Sequence, residues 1–132
     1  LYSKVLEVIV MNIEKMVEIG LLFEQYKELL TEKQREMVSL YYAEDYSLGE
    51  ISENLGVSRQ GVYDTLKRSE KILREYENKL HLVAKLKEQE KFLKSIREKV
   101  VDIKEDLLHN RDCANLIPKL ENIEEICREL LK

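Results

Sequence analysis

From Arg59 to Lys71 the chain sets out Arg59, Gln60, Tyr63, Asp64, Lys67, Arg68 and Lys71, at alternating intervals of one and three. On a helix that rhythm keeps all of them on one outward side. Their chemistry is recognition. Arginine and glutamine present paired donors to base edges, and lysine and arginine meet phosphates. Ser58, just before them, is a residue that caps a helix. Nothing of the kind is visible for catalysis. His81 and His109 are the only histidines and lie in different segments. There is no phosphate-binding glycine loop, no Rossmann glycine run and no HExxH. Cys113 and Cys127 stand fourteen apart. A zinc site needs four nitrogen or sulfur ligands, so two cysteines without histidines at ligand spacing do not make one. We therefore expect no catalytic residue, no metal, no cofactor and no enzyme. Cys127 falls on an apolar helix position and is expected to be a small buried hydrophobe.

The elements that must carry the recognition side chains are legible around them. The segment Ser47–Leu66, SLGEISENLGVSRQGVYDTL, reads as two short helices about a tight turn. Ser47 and Glu50 make a capping box. Ile51 and Leu55 share one face, and Gly56 ends the helix with a left-handed residue. Val57 plugs the turn, and Ser58 opens the second helix. Val62, Leu66, Ser69 and Leu73 point that helix inward. In a helix-turn-helix the outer face of the second helix enters the major groove. A further capping box at Thr31 and Gln34 opens a preceding helix with Met37, Val38, Leu40 and Tyr41, running to about Asp45.

Taken in order, these words resemble a family. Leu30–Gln34 (LTEKQ), Tyr41–Tyr42, the run Leu55–Asp64 (LGVSRQGVYD) and Lys67–Lys71 (KRSEK) look like the YlxM family of small bacterial proteins. They are more distantly similar to region 4 of bacterial sigma factors. Leu21–Leu30, LLFEQYKELL, also fits, and the resemblance covers Ile13 to Lys91. It implies a sigma region 4-like helix-turn-helix domain; with the apolar spacing of the residues after it, the expected fold is all-α, that domain followed by a long helix and a C-terminal helical hairpin. The resemblance also implies a setting, because such proteins are usually encoded beside the signal recognition particle components Ffh and FtsY. The implied role is accessory or regulatory in that pathway.

Composition bounds the rest. The chain has 132 residues, 36% charged and 44% hydrophobic, with one proline and no tryptophan. No apolar run reaches the ~18 residues of a membrane span, and no secretory signal is evident, so a cytoplasmic protein without membrane insertion is expected. Three regions follow: residues 1–12 as an extension or the start of the first helix, 13–77 as the helix-turn-helix domain, and 78–132 as a long helix plus a last helix. From Ser58 to Leu108 there is no proline, and Gly61 is the only glycine. The apolar line Leu66, Leu73, Tyr76, Leu80, Val83 changes phase near Leu82, which marks a bend or a change of packing partner. Leu82, Leu86, Gln89, Leu93, Ile96, Val100, Ile103 and Leu107 then alternate by four and three, the heptad signature. After a polar break at His109–Asp112, the same rhythm returns in Leu116, Leu120, Ile123, Cys127 and Leu130. Pro118 suits the first turn of that last helix. The two faces fit an antiparallel hairpin, or a homodimer zipped through the seam Leu82–Leu107.

Charge divides the functional readings. Residues 31–77 carry net −3, residues 78–104 net +4, and residues 105–132 net −3. Phosphate contacts supply much of the affinity of DNA-binding domains, so an acidic helix-turn-helix is handicapped. The basic stretch includes Lys79, Lys85, Lys87, Lys91 and Lys94. It reads as a solvated coiled-coil face or, more sharply, as a backbone-binding rail for RNA or DNA. Two functions remain in view. One is an accessory protein of the signal recognition particle that binds Ffh, its RNA or both. The other is a DNA-binding regulator that reads bases with Arg59, Gln60 and Tyr63. Met11 is expected to be the natural start, with residues 1–10 an upstream extension. Mass spectrometry of the native protein should then find no peptide from residues 1–10.

Overall fold

The computed structural model describes residues 2–109 and 113–132. Among them every regular element is helical: α1 (Tyr2–Tyr26), α2 (Glu32–Val38), α3 (Leu48–Leu55), α4 (Arg59–Leu80), α5 (Leu82–Leu108) and α6 (Leu116–Leu130). Short 3₁₀ turns lie at Lys27–Leu29 and Cys113–Asn115. The chain divides into two compact units, one ending at Val83 and the other beginning at Ala84.

In the first unit the sequence signals become geometry. At Thr31 the capping box closes, with Gln34 N–H donating to Oγ1 at 3.2 Å and Thr31 N–H donating to Gln34 Oε1 at 3.1 Å. α2 then widens into a π turn over Ser39–Ala43, so the helix expected to reach Asp45 stops slightly short. Asp45 follows at φ 59°, a left-handed position that aspartate tolerates. The second capping box closes at Ser47 and Glu50. Gly56 ends α3 at φ 64°, and its backbone N–H donates to the Ser52 carbonyl. Ser58 Oγ accepts from Gly61 N–H at 3.0 Å and starts α4.

Amphipathic faces from four helices meet in one core. Ile19, Leu22, Phe23 and Tyr26 of α1 pack with Met37 and Val38 of α2, Ile51 of α3, and Val62, Leu66 and Leu73 of α4. The inward line expected for α4 is buried through Leu73, including Ser69, whose hydroxyl donates to the Thr65 carbonyl at 2.7 Å. Leu80 is an exception and is largely exposed.

The long helix expected after Ser58 is broken at one residue. His81 sits at φ 55° between α4 and α5, at the change of heptad phase. The break leaves the first N–H groups of α5 without helical partners, and buried donors of that kind must be satisfied. Two side chains do so. Leu82 N–H donates to Tyr26 Oη at 3.2 Å, and Val83 N–H donates to Glu77 Oε1 at 2.9 Å. The Tyr26 hydroxyl itself donates to Glu77 Oε1 at 2.6 Å, and its ring stacks on Tyr76 at 6.0 Å. Burial, and then the adjacent Glu77 carboxylate, push the Tyr26 hydroxyl pKa up, so it stays a donor.

The second unit is an antiparallel pair of helices. Lys119 Nζ meets Asp106 Oδ2 at 2.8 Å near the turn. At the other end, Glu129 and Leu130 line a hollow with Lys85, Glu88, Gln89 and Phe92. Of the polar break, residues 110–112 lie outside the described residues. The two seams do not close as expected. Ile96 and Ile103 are half-buried, but Leu86, Leu93, Val100 and Leu107 are exposed. On α6, Leu116, Ile123 and Leu130 are half-buried, together with Lys119 and Ile126, whereas Leu120 and Cys127 are exposed. Cys127 is therefore not the buried hydrophobe its apolar position suggested. A single partner helix covers only half of a heptad stripe.

The clasp at the α4–α5 junction gives a direct test. Tyr26→Phe keeps the ring and removes the hydroxyl, leaving Leu82 N–H unsatisfied. The denaturation midpoint should fall by the equivalent of about 1–3 kcal/mol, measured by urea unfolding of the two proteins.

Candidate nucleic-acid interface

α3, the Gly56 turn and α4 place every residue of the expected recognition face outside. Ser58, Arg59, Gln60, Tyr63, Asp64, Lys67, Arg68 and Lys71 are all exposed, while Val62, Leu66, Ser69 and Leu73 on the opposite side are buried. The first turns of α4 thus present a polar, partly cationic ridge on a rigid support.

The ridge is not uniformly available. Arg59, Arg68 and Lys71 make no ion pair or side-chain hydrogen bond with any described residue, so their donors face solvent. Gln60 Nε2 donates to Asp64 Oδ1 at 3.0 Å, which turns one amide donor toward a neighbouring carboxylate. Lys67 Nζ lies 5.6 Å from the centre of the Tyr63 ring and 3.6 Å from Glu70 Oε2, so it leans back onto the scaffold. Around the start of α3, Glu44, Asp45, Glu50 and Glu53 are all exposed. The first helix of a helix-turn-helix crosses the DNA backbone. Glu50 and Glu53 on that helix, and Glu44 and Asp45 just before it, make the surface there acidic.

Behind the ridge lies a buried acid. Glu70 is 4% exposed. The Tyr42 hydroxyl donates to its Oε1. Lys15 Nζ lies 3.3 Å from its Oε2, and Lys67 Nζ reaches the same oxygen. One carboxylate thereby joins α1, the π turn and α4. Burial alone would raise its pKa. The Tyr42 hydroxyl and the two ammonium groups outweigh burial and hold it below the usual carboxylate value. For Tyr42 the effect is opposite: burial first, then the Glu70 carboxylate, drive its hydroxyl pKa well up. The nearby Lys67 ammonium, and then burial, lower the Lys15 pKa. A signal for this cluster was present. Glu70 is four residues after Leu66 and three before Leu73, which is core spacing.

The expected lysine rail is distributed over two units. Lys79 is at the end of α4 in the first. Lys85, Lys87, Lys91 and Lys94 are on α5 in the second. Lys87, Lys91 and Lys94, four and three apart, share one exposed face of α5. Lys85 lies off that face, beside Glu129 of α6, and Lys94 pairs with Glu90 at 3.4 Å. Among the described residues no three His, Cys, Asp or Glu side chains gather as a metal site, and no helix is long and apolar enough to cross a membrane.

Comparison with known proteins gives consistent matches. The UPF0122 model of helix-turn-helix proteins, YlxM / p13 like, matches residues 13–112. It runs past Lys91, where the resemblance read from the motifs ended. A UPF0122 protein of Limosilactobacillus reuteri (strain DSM 20016) is 46% identical over 115 residues, covering 87% of this chain and 99% of the relative. One from Bacillus pumilus is 44% identical over 114 residues, covering 86% of this chain and 100% of the relative. One from Streptococcus gordonii is 53% identical over 89 residues, covering 67% and 81%.

The Glu70 cluster makes stability pH-dependent in a defined direction. Its folded-state pKa lies below the ~4.3 of an unfolded glutamate. Its contribution is complete above that value and is lost as pH falls through the folded-state value. Glu70→Gln should cost about 2 kcal/mol near neutral pH and flatten the acid limb of the stability curve. Urea unfolding at a series of pH values checks both.

Proposed function

The chain belongs to the YlxM / p13-like family of helix-turn-helix proteins, and from that premise we propose that it is a non-enzymatic accessory protein of the signal recognition particle pathway. It works by binding the particle's RNA, its GTPase Ffh, or both, which would place it in the cytoplasm. The observation that carries this reading over promoter binding is the charge around the helix-turn-helix. Glu44, Asp45, Glu50 and Glu53 are exposed on the approach to α4. They would repel the backbone of a duplex seated on the ridge, and that backbone supplies most of the affinity in DNA recognition. A structured RNA or an acidic-tolerant protein surface does not require that seat. The exposed Lys87, Lys91 and Lys94 offer phosphate contacts on a separate helix, α5.

A second reading, a DNA-binding regulator, rests on the solvent-facing donors of Arg59, Arg68 and Lys71 on a well-formed second helix. The two separate by mutation and salt. Under the first, reversing Lys87, Lys91 and Lys94 to glutamate should weaken binding to the particle's RNA or to Ffh by tenfold or more. For RNA the change should also reduce the salt slope by about 2–3, as expected for three lost phosphate contacts. Arg59→Ala should have a smaller effect. Under the second, Arg59→Ala and Gln60→Ala should relax base preference on a duplex, each good contact being worth about 1–3 kcal/mol. Fluorescence anisotropy titrations against the RNA, Ffh and duplex DNA at several salt concentrations decide. Tighter, sequence-dependent binding to DNA would overturn the first reading.

A further inference from the structure

The second unit lacks what the first unit has. The first buries twelve apolar side chains in a single core. In the second, α6 buries none, and the one buried residue of α5, Val83, belongs to the first unit. A two-helix hairpin that buries no side chain fully among its described residues has little apolar burial to offset the ordering of its backbone. Its exposed side shows what is missing. Leu86, Leu93, Val100 and Leu107 fall seven apart along α5 and are 52%, 59%, 43% and 55% exposed. Leu120 and Cys127, also seven apart on α6, are exposed too. On each helix these residues follow the half-buried seam residue in the same rotational sense. In an antiparallel pair that brings both stripes to one side, so the hairpin presents a continuous apolar face across both helices.

Charge identifies what would cover it. Beside the apolar stripe of α5 run Glu90, Arg97 and Lys104, seven apart, and beside that of α6 run Glu121, Glu124 and Arg128. All six are exposed. The contact between Lys119 and Asp106 near the turn, and that of Leu130 near Phe92 at the far end, set the levels of the two helices. At matched levels Lys104 faces Glu121, Arg97 faces Glu124 and Glu90 faces Arg128. Each is an opposite-charge pair. A second hairpin related by a two-fold axis parallel to the helices lays α5 of one copy on α6 of the other and keeps these levels. A two-fold axis across the helices at the level of Arg97 would instead lay each helix on its own copy, bringing Arg97 onto Arg97 and Glu124 onto Glu124.

We propose that α5 and α6 form half of a four-helix bundle completed by a second copy of this chain, with each α5 seated on α6 of its partner. Heptad faces with flanking charges specify partner and orientation in such bundles. The inference is independent of which nucleic acid or protein the first unit binds.

Sedimentation equilibrium of the full chain at micromolar concentration should give twice the chain mass. Leu93→Glu should yield a monomer. Arg97→Glu, an exposed change that leaves folding intact, should weaken the dimer by about tenfold, because the two-fold axis repeats each like-charge pair. Adding Glu124→Arg to that variant should restore it. Circular dichroism would verify that helix content is retained. A monomeric natural chain would overturn the proposal, as would a dimer insensitive to both Leu93→Glu and Arg97→Glu. Weakening by Arg97→Glu without rescue by Glu124→Arg would overturn the arrangement of α5 on α6. Loss of the dimer on Ile9→Glu alone would assign self-association to α1, where Val5, Leu6, Val8 and Ile9 are exposed, and overturn it too.

Discussion

A carboxylate withdrawn from water must be paired, and in this protein the pairing of Glu70 decides how the recognition helix is held. Its partners come from three places: Lys15 on α1, the Tyr42 hydroxyl on the π turn, and Lys67 one turn back on α4. A buried charge tolerates few alternatives, because losing any partner leaves an unpaired group in a low-dielectric setting. The cluster therefore joins the apolar line of Val62, Leu66 and Leu73 in fixing the rotation of α4 about its own axis. That rotation is what turns Arg59, Arg68 and Lys71 outward. It also has a cost for recognition. Lys67, which would otherwise be free for a phosphate, is drawn toward the scaffold.

The clasp of Tyr26 and Glu77 does comparable work at the other end of α4. It satisfies the N–H groups exposed by the break at His81 and so makes a helix start where nothing in the local sequence caps one. Without it, a left-handed histidine in the middle of a strong helical stretch would be an isolated cost. With it, the chain stops one amphipathic programme and begins another. The first unit closes around a core of α1–α4. The second leaves a heptad stripe divided, half turned to its own hairpin and half left facing out.

Much of this was readable in the residues. Both capping boxes, the Gly56 turn and the inward line of Val62, Leu66, Ser69 and Leu73 depend on side chains within a few positions of one another, so local spacing reveals them. The phase change near Leu82 was legible as well, as a bend or a place where the packing partner changes. The break itself was not, because His81 carries no breaker signature. Its left-handed backbone is supported by Tyr26, more than fifty residues earlier. Glu70 sits at core spacing between Leu66 and Leu73, but its pairing was not legible, for the same reason. A charged residue reads as surface until the groups that neutralise it are known, and two of them lie far away in sequence. The heptad seam left a hairpin and a dimer as alternatives, since the period reports an apolar stripe and not how much of it one neighbour covers.

The sequence by itself determined the helices, their caps, the helix-turn-helix and the family, because all of these rest on short-range spacing and on ordered words along the chain. Tertiary structure decided which outward residues are free, which groups neutralise Glu70, where α4 ends, and which half of each stripe remains exposed. Those outcomes depend on desolvation and on pairing between residues remote in the chain, and neither can be read from local spacing.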